Sequence, residues 1–240
     1  MEQLKIAGRY KQILQDCTQS LKDIYLEELT ALILYGSAAS GEIVDKYSNF
    51  NLLVVLKNTD LAAIKKASNL TRKFKMVQPL FLTEDYILSS TDIFPIEFTD
   101  MQENYFVLYG KDVLKGVQID NRNLRFQCEQ ELKAKLIKLR QAYLLLNNNM
   151  PALRRLLFLS FNSVLHISRN VLRLKGITLP HLKQDILKGL VAEFKIDTRV
   201  WEEILAAKNN RNKLTGRKIE QLFIGFVKEL ELLVAIVDKL

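Results

Sequence analysis

An α/β (α+β) domain with a mixed sheet, followed by an all-α helical bundle, is the architecture this 240-residue sequence predicts. Three observations carry that expectation. Leu32 to Leu56, LILYGSAASGEIVDKYSNFNLLVVL, reads as strand, tight Gly-Ser turn, short helix and second strand. From about Arg122 onward the apolar residues recur only at helical spacing. The charge balance shifts too: residues 1–120 carry 13 Lys and Arg against 16 Asp and Glu, net −3, while residues 121–240 carry 22 against 11, net +11. The expected domains are therefore 1–120 and 121–240. A basic second half suits an anionic partner, RNA or an acidic protein, although a set of solvated helix faces gives the same count.

Composition narrows the class. Charged residues make up 26% of the chain and hydrophobic ones 48%, ordinary values for a globular protein. No apolar run reaches the ~18 residues of a membrane span. The start, MEQLKIAGRYKQ, has no apolar core of a signal peptide. A cytoplasmic protein with no membrane partner is expected. Cys17 and Cys128 stand alone, so no disulfide framework is expected. His166 and His181 are the only histidines and neither has a partner at metal-ligand spacing, which argues against a zinc site.

The elements follow in order. Residues 2–26 should form an amphipathic helix, because Ile6, Tyr10, Ile13, Leu14, Cys17 and Leu21 recur at three- and four-residue intervals. Ile33 to Tyr35 belongs to a strand that Gly36-Ser37 ends, and Ala38 to Ile43 is expected as a short helix. Phe50 to Leu56 is the second strand. Asn49 and Asn51 lie two residues apart, so on a strand their side chains share one face. Asp60 caps a helix from Leu61 to about Lys73, and Met76 to Leu82 is a third strand. Thr83 caps a short helix from Tyr86 to Ser90. Ile93 to Thr99, IFPIEFT, alternates Phe94, Ile96 and Phe98 against Pro95, Glu97 and Thr99, and reads as an edge strand. Val107 to Gly110 is a strand end. Five helices follow: Leu124 to Leu146, Pro151 to Lys175 with Gly176 as its stop, Pro180 to about Phe194, Arg199 to Lys208, and Gly216 to Leu240.

Tyr35-Gly36-Ser37, eleven further residues, then Asn49-Phe50-Asn51-Leu52 resembles the signature of the nucleotidyltransferase superfamily, the DNA polymerase β-like fold, in the branch of kanamycin and minimal nucleotidyltransferases. That signature is an apolar residue, Gly-Ser or Gly-Gly, a spacer, then Asp-apolar-Asp or Asp-apolar-Glu followed by an apolar residue. The spacing and the apolar positions match across about the first half of the chain, but an amide replaces each acid. The resemblance implies that Gly36 and Ser37, helped by Lys46, hold phosphate, and that Asn49 and Asn51 stand at carboxylate positions. It calls for a third carboxylate on a later strand, for which Glu97 is the choice and Asp100 the fallback, and these two are also the metal ligands if there is any. It makes a nucleoside triphosphate the expected small partner and Mg²⁺ the cofactor of an active protein. A weaker resemblance joins Arg211 to Gly216 with the Arg-x4-His of helical HEPN domains, with Gly216 where the histidine would be. A basic loop between helices explains that stretch equally.

The amides decide which function is expected. Mg²⁺ is a hard cation that prefers anionic oxygen, and an amide cannot serve as a general base. The first reading is a catalytically impaired nucleotidyltransferase-like protein that binds nucleotide or a partner. The second is an active Mg²⁺-dependent transferase that moves a nucleotide to a small-molecule or protein hydroxyl. The third is a non-catalytic RNA- or protein-interaction module of toxin–antitoxin type. A half-chain at +11 is a poor surface for a polycationic aminoglycoside. The apolar faces of the second and fifth bundle helices allow a homodimer.

Overall fold

Apolar residues at helical spacing near the start of the chain fold as a helix, which begins at Gly8 rather than at residue 2 and leaves Ile6 outside it. In the computed structural model, which describes residues 4, 6–40, 49–177, 182–209 and 214–240, α1 spans Gly8–Tyr25 and buries Tyr10, Leu14, Cys17, Leu21 and Tyr25. A single turn of 3₁₀ helix, Leu26–Glu28, leads into β1, Leu29–Tyr35. Next come α2 (Ser37–Ser40), β2 (Phe50–Leu56), α3 (Leu61–Lys65), α4 (Ser68–Lys73), β3 (Val77–Leu82), α5 (Glu84–Ser89), α6 (Pro95–Glu103) and β4 (Tyr105–Gly110). The four strands form one mixed sheet in the order β3-β2-β1-β4. β1 is antiparallel to β2 and to β4, while β2 and β3 are parallel, joined by a crossover through α3 and α4.

Both faces of this sheet are covered, which is why β1 and β2 read as unbroken apolar runs. On one face α1 and α4 pack over Leu32, Leu34, Phe50, Leu52 and Val54, with Tyr10 meeting Phe50 edge-on at 5.6 Å. On the other, α5 and α6 supply Ile87, Phe98 and Met101 against Ala31, Ile33, Leu53 and Val55. Gly36 ends β1 at φ +77°, a conformation that an L side chain adopts only with strain.

Three expectations need correction. Ile93–Thr99 is not a strand: Pro95 opens helix α6 at its first turn, where a missing N–H costs nothing and φ is preset. The Phe98 N–H already donates to the Phe94 carbonyl at 3.1 Å. Pro95, Ile96, Phe98 and Met101 bury while Phe94 stays exposed, so the apparent two-residue alternation does not mark one face of a strand. Glu97 therefore sits exposed in the first turn of a helix, not on a strand. The 61–73 helix is two short ones, α3 and α4, joined at Lys66-Ala67. The third bundle helix begins at Lys183, and Pro180, its expected start, lies outside the described residues.

The chain divides into two compact units, Met1–Asp120 and Asn121–Leu240. The second is wholly helical: α7 (Asn121–Leu146), α8 (Met150–Leu174), α9 (Lys183–Phe194), α10 (Arg199–Lys208) and α11 (Gly216–Val237). α7, α8 and α11 pack on one another, and α9 and α10 close over α8. α7 and α11 run antiparallel. Tyr143 stacks on Phe223 at 5.2 Å, Arg140 pairs with Glu231 at 2.8 Å and Lys133 with Asp238 at 2.7 Å. Phe161, Trp201 and Phe226 meet with centroids 5.6–6.2 Å apart and tie α8, α10 and α11 together. The fold class is as the sequence predicts: a mixed sheet with helices, then a helical part. Among the described residues no helix is long and apolar enough to cross a membrane.

Candidate functional site

The site is built from one row of the sheet. Register places Gln78 of β3 beside Asn51 of β2, Asn51 beside Tyr35 of β1, and Tyr35 beside Tyr105 of β4. Paired residues share a face, so all four project to the side covered by α6. This row lies at the strand ends next to Gly36, where the chain turns into α2. Asn49 precedes β2 by one residue and is exposed, Asn51 is half-buried and Gln78 is exposed.

Gly36 is held tightly. Its N–H donates to the Asn104 carbonyl at 2.9 Å, which extends the β1–β4 ladder by a rung. Its own carbonyl accepts from Ala39 N–H at 2.9 Å and Ser40 N–H at 3.3 Å. A Cβ built on Gly36 would stand 3.2 Å from Asn51 Nδ2. The Gly-Ser turn and Asn51, the second amide of the pair, therefore lie side by side. Ser37 is half-buried at the start of α2, and the Ser40 hydroxyl donates to the Ser37 carbonyl at 3.0 Å.

The far side of the row is phenolic. Burial raises the pKa of Tyr35 above its ordinary value. Tyr105 donates to Asp112 Oδ2 at 3.1 Å, and its pKa is raised by burial first and by that hydrogen bond and charge second. Both are therefore neutral donors near pH 7, not bases.

The expected residues are thus distributed unevenly. Gly36, Ser37, Asn49 and Asn51 come together at the sheet end. Glu97 and Asp100 ride on α6, exposed and half-buried respectively. Lys46 lies outside the described residues, as do residues 211–213 of the Arg211–Gly216 stretch. Sequence reasoning missed Gln78. It is the residue that strand pairing sets directly beside Asn51, and only the β2–β3 register reveals it.

These side chains do not suit Mg²⁺. Asn49, Asn51 and Gln78 offer neutral amide oxygens where a hard dication is best held by carboxylates. Among the described residues no group of three or more His, Cys, Asp or Glu side chains is gathered to hold a metal ion. What the arrangement retains is a glycine turn, a serine hydroxyl and a row of neutral hydrogen-bonding groups.

No protein-family model and no curated protein matches this sequence. Among solved structures, a spectinomycin adenyltransferase from Enterococcus faecialis, crystallised with ATP and spectinomycin, superposes with a TM-score of 0.61. The two are 12% identical, and the match covers 92% of this chain and 99% of that one. The chain shares the fold of that adenyltransferase. The likeness reaches through both units, each of which has its counterpart in the adenyltransferase chain.

Proposed function

We propose that this protein is a nucleotidyltransferase-fold protein that binds a nucleoside triphosphate at the Gly36–Ser37 turn without transferring nucleotide from it. The observation that carries the reading is the pairing of Asn51 with Gln78 beside Gly36. Two neutral amides, with Asn49 as a third, occupy the edge where the chemistry of nucleotidyl transfer needs charge.

The physical argument has two halves. Two-metal transfer uses ions that bridge carboxylates to the triphosphate and activate the attacking hydroxyl. At an effective dielectric near 20, a unit charge ~4 Å from the ion contributes on the order of 4 kcal/mol before desolvation. Losing several such charges leaves little to hold Mg²⁺ at millimolar concentration. Amides also cannot accept the proton of an acceptor hydroxyl, and Tyr35 and Tyr105 are held neutral. The other half concerns binding. A triphosphate at this edge would meet amide N–H donors and the Ser37 hydroxyl, and Asn49, Asn51 and Gln78 add no charge to repel it. The adenyltransferase of similar fold was crystallised with ATP, which supports a nucleotide as the ligand.

Calorimetric titration with ATP, GTP, CTP and UTP, each with and without Mg²⁺, tests this directly, alongside an assay for released pyrophosphate. The expected result is binding that does not depend on Mg²⁺, and no pyrophosphate. Binding only with Mg²⁺, together with pyrophosphate release, would establish an active transferase instead. No binding of any nucleotide would overturn the reading in favour of an interaction module.

A further inference from the structure

The helical unit contains a second arrangement that the sheet-end site does not use. From residue 132 to residue 184 the chain has no Asp or Glu, and α8, at its centre, carries Arg154, Arg155, Arg169 and Arg173. Arg154, Phe158 and Asn162 follow at four-residue intervals and so share one face of α8. The Arg154 guanidinium lies 5.2 Å over the Phe158 ring. Two lysines from other helices close onto the same face. Lys183, the first residue of α9, donates through Nζ to Asn162 Oδ1 at 2.8 Å. Lys208, the last residue of α10, reaches the Phe158 carbonyl at 3.5 Å.

Both lysines are half-buried, and both acceptors are neutral. Burial lowers the pKa of each, and the charge of Lys183 lowers that of Lys208 further. Three acids of α9 and α10 have partners elsewhere. Asp185 pairs with Lys188 at 3.4 Å, Glu202 accepts from the Thr198 hydroxyl at 2.8 Å, and Glu203 pairs with Lys218 at 2.8 Å. Two like charges drawn partly out of water with no carboxylate between them destabilise the fold. Such a pair is explained when an anion completes it.

Geometry selects the anion. Phe158 and Asn162 are one helical turn apart, so their two acceptors bring the ammonium groups to neighbouring places on α8 with a gap between two like charges. One tetrahedral phosphate, accepting charge-assisted bonds of about 2.8 Å on either side, spans that gap. Each ammonium keeps N–H donors free after its bond to α8, and Arg154 flanks the pair on the same face. We propose that Lys183 and Lys208, with Arg154 beside them, form a phosphate-binding site on α8, for the phosphate of a nucleotide or of a nucleic-acid backbone. This site stands independently of the sheet-end reading, and either can fail without the other.

The test uses the full chain without Mg²⁺ at low salt, with ATP, inorganic tripolyphosphate and a labelled ten-nucleotide oligo(U) as probes. Wild type should bind at least one of them, and the Lys183→Met/Lys208→Met double variant should lose tenfold or more in affinity for it. The variant should melt no lower than wild type, since it loses two half-buried like charges. Lys57→Met, at an exposed lysine of the first unit, should leave this affinity unchanged. A second readout needs no variant. Pyridoxal 5′-phosphate followed by borohydride should label Lys183 and Lys208 ahead of exposed lysines, and tripolyphosphate should protect them. Tight oligo(U) binding with a steep salt dependence identifies backbone phosphate. ATP binding of equal strength that the double variant loses identifies a nucleotide. The proposal is overturned if no probe binds, if the double variant binds as tightly as wild type, or if labelling is neither selective nor protected.

Discussion

Cys17 is wholly enclosed between α1 and the sheet, and burial pushes its thiol from the ordinary value of 9.0 up to about 12, against a smaller opposing pull from Lys73. The sign of the consequence is fixed by proton counting. Between pH 9 and 12 the unfolded thiol has lost its proton and the folded one has not, so folding stability falls as pH rises, by about 1.4 kcal/mol per pH unit from this residue. Urea midpoints at pH 8, 9.5 and 10.5 should show that decline, and Cys17→Ala should flatten it. An equal decline in the variant would assign it to the buried tyrosines instead. Glu229 makes the complementary case. It is 9% exposed, its Oε2 has no hydrogen-bond partner among the described residues, and burial first, then the charge of Asp197, raises its pKa. Its ionised form is disfavoured in the fold, so its favourable contribution is complete below the ordinary 4.5 and is lost as pH rises through the folded value. Glu229→Gln removes the charge and should stabilise the protein by about 1 kcal/mol at pH 7. The gain should shrink on acidification to pH 4, read as the difference between melting temperatures. Neither residue stands out in the sequence, because burial of a thiol or a carboxylate is a property of packing.

At the scale of elements, helix α6 shows where periodicity is too short to decide. Phe94, Ile96 and Phe98 satisfy a strand pattern over three positions. What settles the matter is Met101, three residues after Phe98 and buried in the same cluster as Phe98, Leu53 and Val55. A separation of three puts two side chains on opposite faces of a strand but on one face of a helix. Phe98→Ala should therefore cost about 3 kcal/mol and Met101→Ala about 2 kcal/mol, each as a core truncation. Chemical denaturation checks both, and a neutral Met101→Ala would contradict the helical register. Pro95, taken as an edge-strand signal, is equally a helix opener, and only the layer beneath it distinguishes the two. The long helices were easier to read. α7, α8 and α11 each repeat their apolar pattern over 22 to 26 residues, and their ends carry punctuation such as Pro151 and the Thr215 cap that accepts from Lys218 N–H.

For the molecule as a whole, the sheet and its succeeding helices follow from patterns that are local in sequence, whereas the site is a product of strand pairing. Asn49 and Asn51 were visible because they fall within a single strand motif. Gln78 was not, because its place beside Asn51 depends on a parallel register that α3 and α4 set from outside both strands. That register leads to a reconstruction. If neutral amides alone keep metal out, then Asn49→Asp, Asn51→Asp and Gln78→Glu together should create a cation site at the sheet end. Each added charge contributes on the order of 4 kcal/mol to a bound ion ~4 Å away before desolvation. Without metal, three neighbouring carboxylates repel one another, so the triple variant should melt lower than wild type and recover on adding Mn²⁺. Mn²⁺ titration followed by electron paramagnetic resonance should show one site in the variant and none of comparable affinity in wild type, and nucleotide binding should change from metal-independent to metal-dependent. Wild-type protein that binds Mn²⁺ as tightly as the variant would mean that Glu97, Asp100 or another acid already supplies the charge, and the case for a silent site would fall with it.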